Sequence, residues 1–204
     1  MNINHIENEV EDDVIEPKET ESKFNNISGT PLVILEILIY AIIILIATKL
    51  ITSYILQRNI VDGLSMDDTL IDGESLIVEK ISYRFDKLDR FDIIAFYPNG
   101  KDNKEYYIKR IIGLPGEFVQ MSADDIYING ELIEEDYGST SDNGYLGLAV
   151  EGIELKEDEY FVLGDNRQVS LDSRYEEVGA IEIDEIEGKA IFRIWPLNRF
   201  GTID

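Results

Sequence analysis

The pattern of apolar and polar positions divides the chain into three parts. Residues 1–30 are polar and acidic, and residues 31–56 form an apolar run in which Glu36 and Lys49 are the only charges. From residue 57 onward, short apolar runs alternate with polar segments. The pattern predicts a disordered acidic tail at 1–30, a transmembrane helix at 31–56 and a folded domain at 57–204.

The apolar run is long enough to cross a bilayer, because about 20 helical residues span the hydrocarbon core. A cleavable signal sequence is disfavoured, since an acidic stretch rather than a basic one precedes the run. A buried helix of a soluble core is the remaining alternative, although it would be unusually apolar on every side. Lysines and arginines are balanced between the two flanks, so the charges do not predict which end faces the cytoplasm.

The part after residue 57 has the pattern of strands joined by turns. Short runs rich in Ile, Val, Tyr and Phe are separated by Gly, Asp, Asn and Pro. The runs are ESLIVEKI, FDIIAFYP, KEYYIKRII, EFVQM, DIYINGELI, EYFVLG and KAIFRIW. Asn129-Gly130 predicts a tight hairpin, residues 136–152 have the composition of a long loop, and one helical turn is expected near 172–179. The predicted fold class is mostly β, behind one N-terminal transmembrane helix.

Composition excludes several kinds of function. The chain has 42 acidic and 18 basic residues and a net charge of −24, which disfavours binding to nucleic acid or to anionic lipid through a basic patch. It has no cysteine, and its one histidine, His5, lies in the polar tail. A histidine-based triad, a thiolate nucleophile and a Cys/His metal site are therefore not expected, and no cofactor or metal is predicted. A serine nucleophile would need a base other than histidine.

A lysine in a strand pattern is one candidate for such a base. In YYIKRII, Lys109 and Arg110 point to opposite faces, so at least one cation lies among apolar side chains. Burial lowers the pKa of a lysine and can leave a neutral amine, which is a general base. The alternative is a lysine at a strand end that extends its amine to water.

Two polar stretches could supply further chemistry. GLSMDDTL, residues 63–70, contains a serine between two apolar residues, and by itself this is typical of a solvated turn. GDNRQVSLDSR, residues 164–174, repeats the spacing Asp-x-Arg, which can clamp a loop by charge-assisted hydrogen bonds. Ser170 lies between the two repeats and could hold an amine in place. Alone, this stretch is also compatible with a structural loop.

Together, three stretches resemble the conserved boxes of type I signal peptidases, the membrane-bound Ser-Lys proteases of bacteria. These are GLSMDDTL, YIKRIIGLPGE and GDNRQVSLDSR, in the same order and with similar spacing. DRFDIIAF and GKAIFRIWPLNRFG fit as well, so the resemblance covers about residues 30–200. It implies that residues 57–204 form a β-rich Ser-Lys peptidase domain.

The resemblance also implies roles for individual residues. Ser65 is similar to the family nucleophile, Lys109 to the general base, and Ser170 to the serine that positions the lysine. The supporting residues implied by the family are Arg110, Asp165, Asp172 and Arg174 as a salt-bridged scaffold, Gly63 at the oxyanion position, and Met66 and Asn166 as structural residues.

Two positions depart from the family pattern. Asp68 stands where the family usually has proline, and a carboxylate near Lys109 would raise the pKa of the base. We therefore expect Asp68 to point to solvent. Gly63 stands where some members carry a serine that donates to the oxyanion, so the oxyanion hole is expected to use main-chain N–H groups, that of Ser65 foremost.

The resemblance implies signal peptidase I, a serine endopeptidase that removes signal peptides from secretory preproteins with small residues at −1 and −3. It implies a single-pass protein of the bacterial plasma membrane with its catalytic domain outside. One alternative is a non-catalytic relative that acts as a membrane chaperone in pilus or surface-protein assembly. Another is a self-cleaving SOS-type repressor, but an apolar span stands where its DNA-binding helices would be.

Overall fold

The computed structural model describes residues 30–67, 69–85, 87–98, 100–101, 105–123, 125–138 and 145–203. The predicted acidic tail, apart from its last residue, lies outside the described residues. Asp68, whose side chain was expected to face solvent, lies outside them too, as does the middle of the predicted 136–152 loop.

The apolar run forms one long helix. Helix α1 spans Thr30–Tyr54, and none of its residues is buried. Its 25 residues extend about 37 Å, which exceeds the roughly 30 Å of a bilayer's hydrocarbon core. A helix of this length and composition can cross a membrane. The exposure of all its faces argues against a helix inside a soluble core. The helix is slightly shorter than the predicted span, because Leu56 begins the first strand.

The rest of the described chain is mostly β-strand. A short helix, α2, spans Ser82–Phe85, and 3₁₀ segments occupy Gly147–Val150, Ile183–Glu185 and Leu197–Arg199. The strands are β1 Leu56–Ile60, β2 Ser75–Glu79, β3 Ile93–Phe96, β4 Tyr107–Gly113, β5 Phe118–Ser122, β6 Asp125–Ile128, β7 Glu131–Ile133, β8 Ile153–Glu154, β9 Glu159–Leu163, β10 Ile181–Glu182, β11 Ile186–Trp195 and β12 Gly201–Thr202. The predicted fold class, mostly β behind one N-terminal apolar helix, is confirmed.

The strands form two antiparallel sheets. The larger sheet has the order β1-β2-β11-β3-β4-β9-β10, with β12 paired to β11. The smaller sheet has the order β7-β6-β5-β8. In the larger sheet β1 is an edge strand, whereas β4 lies between β3 and β9. A residue on β4 is therefore deep in the sheet, and a residue that follows β1 is near its edge.

The turns agree largely with the sequence. Asn129 and Gly130 have φ angles of 53° and 84°, and they join β6 to β7 as the predicted hairpin. Residues 172–179 form consecutive turns rather than a helix, and one of these is closed by a bond of 2.8 Å from Gly179 N–H to Tyr175 O. The expected helical turn is thus an isolated turn.

One core cluster joins the 63–70 loop to the larger sheet. Met66 and Leu70 are 1% and 0% exposed, and they belong to the same buried cluster as Leu76 and Val78 of β2. Burial of apolar side chains of this size stabilises a fold by about 1.5–3 kcal/mol each. The loop that follows β1 is therefore held against the sheet by its own apolar residues.

Candidate active site

Ser65 lies on a loop whose conformation is fixed by its neighbours. Gly63 has a φ of 93°, which favours glycine, and its N–H donates to Asp72 Oδ1 at 2.9 Å. Met66 is buried, and its carbonyl accepts from Leu70 N–H at 2.8 Å. Because the residue after Ser65 is anchored in the core, the partly buried Ser65 is held at the loop surface.

Lys109 reaches Ser65 from the middle of the larger sheet. It lies on β4, where it pairs with Ile94 of β3, and it is 4% exposed. Its Nζ donates to Ser65 Oγ at 2.8 Å and to Ile108 O at 3.1 Å. The amine also lies 5.1 Å from the centre of the Tyr107 ring. The structure thus brings together the serine and the lysine that the sequence singled out.

The surroundings of Lys109 favour its neutral form. Burial lowers the pKa of the amine to about 8 from its ordinary value of 10.5, while the charges of Asp172 and Asp165 act in the opposite direction. At pH 7 about a tenth of the molecules then carry a neutral amine, against fewer than about one in a thousand for an ordinary lysine. The site therefore contains a base that is available near neutral pH.

Arg110, the neighbour of Lys109, forms a buried ion pair. Its Nε and Nη2 donate to the two carboxylate oxygens of Asp165 at 2.9 and 2.8 Å, and both side chains are 1% exposed. Nη1 donates to Phe91 O at 2.9 Å, and the guanidinium lies 3.6 Å from the centre of the Tyr137 ring. Removing one partner of such a pair costs about 3–5 kcal/mol, so this contact fixes the 164–174 loop on β4.

Arg174 and Asp172 form the second buried pair. Arg174 Nε and Nη2 donate to Asp172 at 2.8 and 2.9 Å, and Asp172 Oδ2 accepts from Gly164 N–H at 3.1 Å. The pair therefore closes the 164–174 loop on itself. Arg167, by contrast, forms an ion pair with Glu135 and donates from Nε to Gly164 O at 3.0 Å. Of the two Asp-x-Arg repeats, Asp172 and Arg174 form an ion pair within the loop. Asp165 and Arg167 instead pair with Arg110 and Glu135, which lie outside it.

Ser170 is buried, but its hydroxyl makes no hydrogen bond with Ser65 or Lys109. It is 2% exposed, and its hydroxyl has no hydrogen-bond partner in the described part of the chain. The predicted contact to Lys109 is therefore not formed here. Gly164 permits the close packing, because an added Cβ would lie 2.2 Å from Ser170 Oγ and 2.4 Å from Ser65 O. Asn166 contributes its main-chain N–H, which donates to Ser65 O at 3.1 Å.

A groove of about 580 Å³ lies over the serine and the lysine. It is lined by residues 60–66, by residues 105–109, and by Val169 and Leu171. Much of this lining is apolar. Such a groove suits an extended peptide whose side chains enter it and whose carbonyl carbon approaches Ser65.

A charged cluster that sequence reasoning missed supports the end of the 63–70 loop. Glu74 is 2% exposed and accepts from Arg193 Nε at 2.7 Å. Arg193 and Arg199 both donate to Thr69 O, at 2.7 and 3.1 Å. The only signal in the sequence was the match of GKAIFRIWPLNRFG to the family, which does not show what the arginines contact. Among the described residues, no group of three or more His, Cys, Asp or Glu could hold a metal ion.

Comparison with known proteins shows the family of this chain. The family model described as signal peptidase, peptidase S26, matches residues 34–195. Signal peptidase I P of Bacillus subtilis subsp. natto is 38% identical over 163 residues, which are 77% of this chain and 86% of that protein. Signal peptidase I of Bacillus licheniformis is 37% identical over 169 residues, 80% of this chain and 89% of that protein.

A more distant relative and one solved structure complete the comparison. Signal peptidase IB of Staphylococcus aureus strain COL is 33% identical over 181 residues, 82% of this chain and 92% of that protein. A crystal structure of a signal peptidase I from Enterococcus faecalis V583 is 39% identical and covers 51% of this chain and 97% of its own, with a TM-score of 0.42. By the family model and the sequence relatives, this chain belongs to the signal peptidase family, peptidase S26.

Proposed function

We propose that the protein is a membrane-anchored signal peptidase I that works as a serine endopeptidase, with Ser65 as nucleophile and Lys109 as general base. The observation that carries the proposal is the distance of 2.8 Å between Lys109 Nζ and Ser65 Oγ, with Lys109 only 4% exposed. A serine is activated when a neutral base lies within hydrogen-bond distance of its hydroxyl.

The reaction follows from this pair. Neutral Lys109 accepts the proton of Ser65 as Oγ attacks the scissile carbonyl carbon and the C–O bond forms. The ammonium then gives this proton to the leaving amine as the C–N bond breaks, which leaves an ester on Ser65. Lys109, neutral again, takes a proton from water as the water oxygen attacks the ester carbon. The bond between Ser65 Oγ and this carbon then breaks, the ammonium returns the proton to Oγ, and the new carboxyl end of the signal peptide is released.

The oxyanion of the intermediate needs a donor beside Ser65. Two nearby donors are already used: Gly63 N–H donates to Asp72, and Asn166 N–H donates to Ser65 O. Within the described part of the chain, no acceptor is bound to the main-chain N–H of Ser65. We assign this group to the oxyanion, where one such donor is worth about 10²–10³ in kcat.

The substrates in this proposal are secretory preproteins with small residues at −1 and −3. In an extended chain every second side chain points to the same face, so these two residues enter the groove together. The groove is lined by residues 60–66 and residues 105–109, largely with apolar side chains, which suits short uncharged groups.

The proposal places α1 across the bacterial plasma membrane and the catalytic domain outside the cytoplasm. Support comes from the helix Thr30–Tyr54, which is long and apolar enough to span a bilayer, and from the family. An anchor confines the enzyme to the surface at which its substrates are themselves anchored, and this raises their effective concentration.

Two substitutions test the catalytic pair. Purified full-length protein in detergent should cleave a preprotein with Ala at −1 and −3, and Ser65→Ala and Lys109→Met should each abolish cleavage while leaving circular dichroism unchanged. Ser122→Ala and Lys156→Met are matched controls, because both residues are exposed and neither lines the groove.

The outcome also separates the two candidate functions. Cleavage that survives in Ser65→Ala would contradict the proposed nucleophile. A folded wild-type protein that cleaves no preprotein would favour the non-catalytic membrane chaperone instead. The distance between Ser65 and Lys109 already argues against that chaperone, because a protein without catalysis does not need a buried amine at the serine hydroxyl.

A further inference from the structure

The edge of β1 carries a main-chain site next to the catalytic pair. Val61 N–H donates to Glu74 O at 2.8 Å, and Gly73 N–H donates to Val61 O at 2.9 Å, so the main-chain groups of Val61 face the β2 side. In a strand, the groups of consecutive residues face opposite sides. The N–H and C=O of Ile60 therefore face the free edge of the sheet, which borders the groove.

The Tyr106 hydroxyl occupies this edge site. It donates to Ile60 O at 2.8 Å and accepts from Ile60 N–H at 3.2 Å. Ile60 and Tyr106 both line the groove that also contains Ser65 and Lys109. One hydroxyl thus satisfies the same two groups that a residue of a neighbouring strand would satisfy.

We propose that Tyr106 is a gate residue, whose hydroxyl closes the groove at Ile60 and must be displaced when a substrate strand pairs with the edge of β1. This inference rests on the proposed function. An extended peptide gains affinity from main-chain bonds to a free strand edge. At Ile60 the peptide gains less affinity, because its main-chain bonds replace those that Tyr106 already makes with Ile60. Tyr106 therefore selects for substrates that offer both an N–H and a C=O at this position.

The expected change in substrate affinity follows from the net free energy of these hydrogen bonds. One intramolecular hydrogen bond, exchanged against water, changes an equilibrium constant by a factor of about two to ten. Tyr106→Phe removes the hydroxyl and keeps the ring, so the groove keeps its lining. We expect the substrate to bind about three- to tenfold more tightly to the Phe variant, with a lower KM and an unchanged kcat.

Binding can be measured without turnover. Full-length Ser65→Ala and Ser65→Ala/Tyr106→Phe in detergent are titrated with a fluorescent preprotein that has Ala at −1 and −3. The expected result is a Kd about three- to tenfold lower for the double variant. Ser65→Ala/Tyr127→Phe is the matched control, because it removes a phenol hydroxyl from β6, outside the groove lining. Equal or weaker binding by the Tyr106→Phe variant would overturn the gate.

A second readout does not depend on activity. Amide hydrogen exchange of Ile60 in the free protein should be faster in Tyr106→Phe than in wild type, because its N–H loses its acceptor. Unchanged exchange overturns the inference even if the enzyme is active. Conversely, wild-type protein that fails to cleave any preprotein contradicts the proposed function, whereas cleavage with an unchanged KM in Tyr106→Phe contradicts the gate alone.

Discussion

Lys109 has two sets of neighbours that act on its pKa in opposite directions. Burial removes water from the ammonium and lowers the pKa, and this is the larger effect. The carboxylates of Asp172 and Asp165 raise it, although Arg174 and Arg110 are bound to them. The scaffold arginines thus have a second consequence, since they neutralise the charges that would otherwise keep the lysine protonated.

The first prediction concerns the pH dependence of cleavage. Because only the neutral amine accepts a proton from Ser65, kcat/KM should rise with pH through an apparent pKa of about 8 and level off above it. Below this value each pH unit should cost about tenfold. The measurement is a pH–rate profile on a preprotein substrate. A rate that keeps rising to the value of an ordinary lysine, 10.5, would contradict the proposed base.

Ser170 gives a second prediction at this scale. Its hydroxyl is buried and has no partner in the described part of the chain, so it does not stabilise the fold by a hydrogen bond. We expect Ser170→Ala to leave the Tm unchanged or slightly higher, because an unsatisfied hydroxyl is removed. If the hydroxyl orients the Lys109 ammonium during turnover, kcat falls and the pH–rate profile shifts. An unchanged kcat and profile would make Ser170 a packing residue only.

Among the structural elements, the active site depends on how closely the 63–70 loop and the 164–174 loop approach each other. Gly164 follows the end of β9, and the space beside it is filled by the carbonyl of Ser65 and the hydroxyl of Ser170. In Gly164→Ala the new Cβ would lie 2.4 and 2.2 Å from these atoms, so the 63–70 loop must move. A displacement of about 1 Å at a catalytic group costs about a hundredfold in rate.

The measurement for Gly164→Ala is kcat on the preprotein substrate, with Tm as a check of folding. Gly130→Ala is a control for backbone strain away from the groove lining: its added Cβ has no atom within 4 Å, and its φ of 84° is expected to lower Tm while kcat stays unchanged. Full activity of Gly164→Ala would contradict the close approach.

Some strands were predictable from the sequence and others were not. Strands such as β4 and β9 were predicted because their residues are β-branched or aromatic and are bounded by turns. Strand β1 was missed because LQRNI contains three polar residues, and it is paired on one side only. Its place in the sheet comes from pairing with β2, and no local pattern contains this information.

The site was predictable in its residues but not in its contacts. Ser65 and Lys109 are 44 positions apart, and Arg110 and Asp165 are 55 apart. Local spacing suggested that Asp165 pairs with Arg167, whereas Asp165 pairs with Arg110 and Arg167 pairs with Glu135. Family resemblance supplied the residues, and only the fold shows which side chains meet and that Tyr106 bonds to Ile60.

At the scale of the whole molecule, the chain combines a fully exposed apolar helix with an acidic β-rich part. No residue of α1 is buried. An exposed apolar helix of 25 residues is stable in lipid and not in water. This predicts that the intact protein remains in the membrane fraction after washing with sodium carbonate at high pH. Release into the soluble fraction would contradict the anchor.

The side of the membrane on which the catalytic domain lies can be tested separately. A protease added to intact cells should digest the catalytic domain, because the proposal places it outside the cytoplasm. Digestion only after the cells are broken open would place it inside. The flanking charges do not decide the matter, and the net charge of −24 disfavours attraction of the chain to anionic lipid.

The hydrogen bond from Lys109 Nζ to Ile108 O, 3.1 Å long, has a further consequence. An amine that attacked the ester on Ser65 would convert it to an amide and block the enzyme. The bond to a backbone oxygen limits how the nitrogen can rotate, so in the proposed mechanism the nitrogen acts on water and not on the ester.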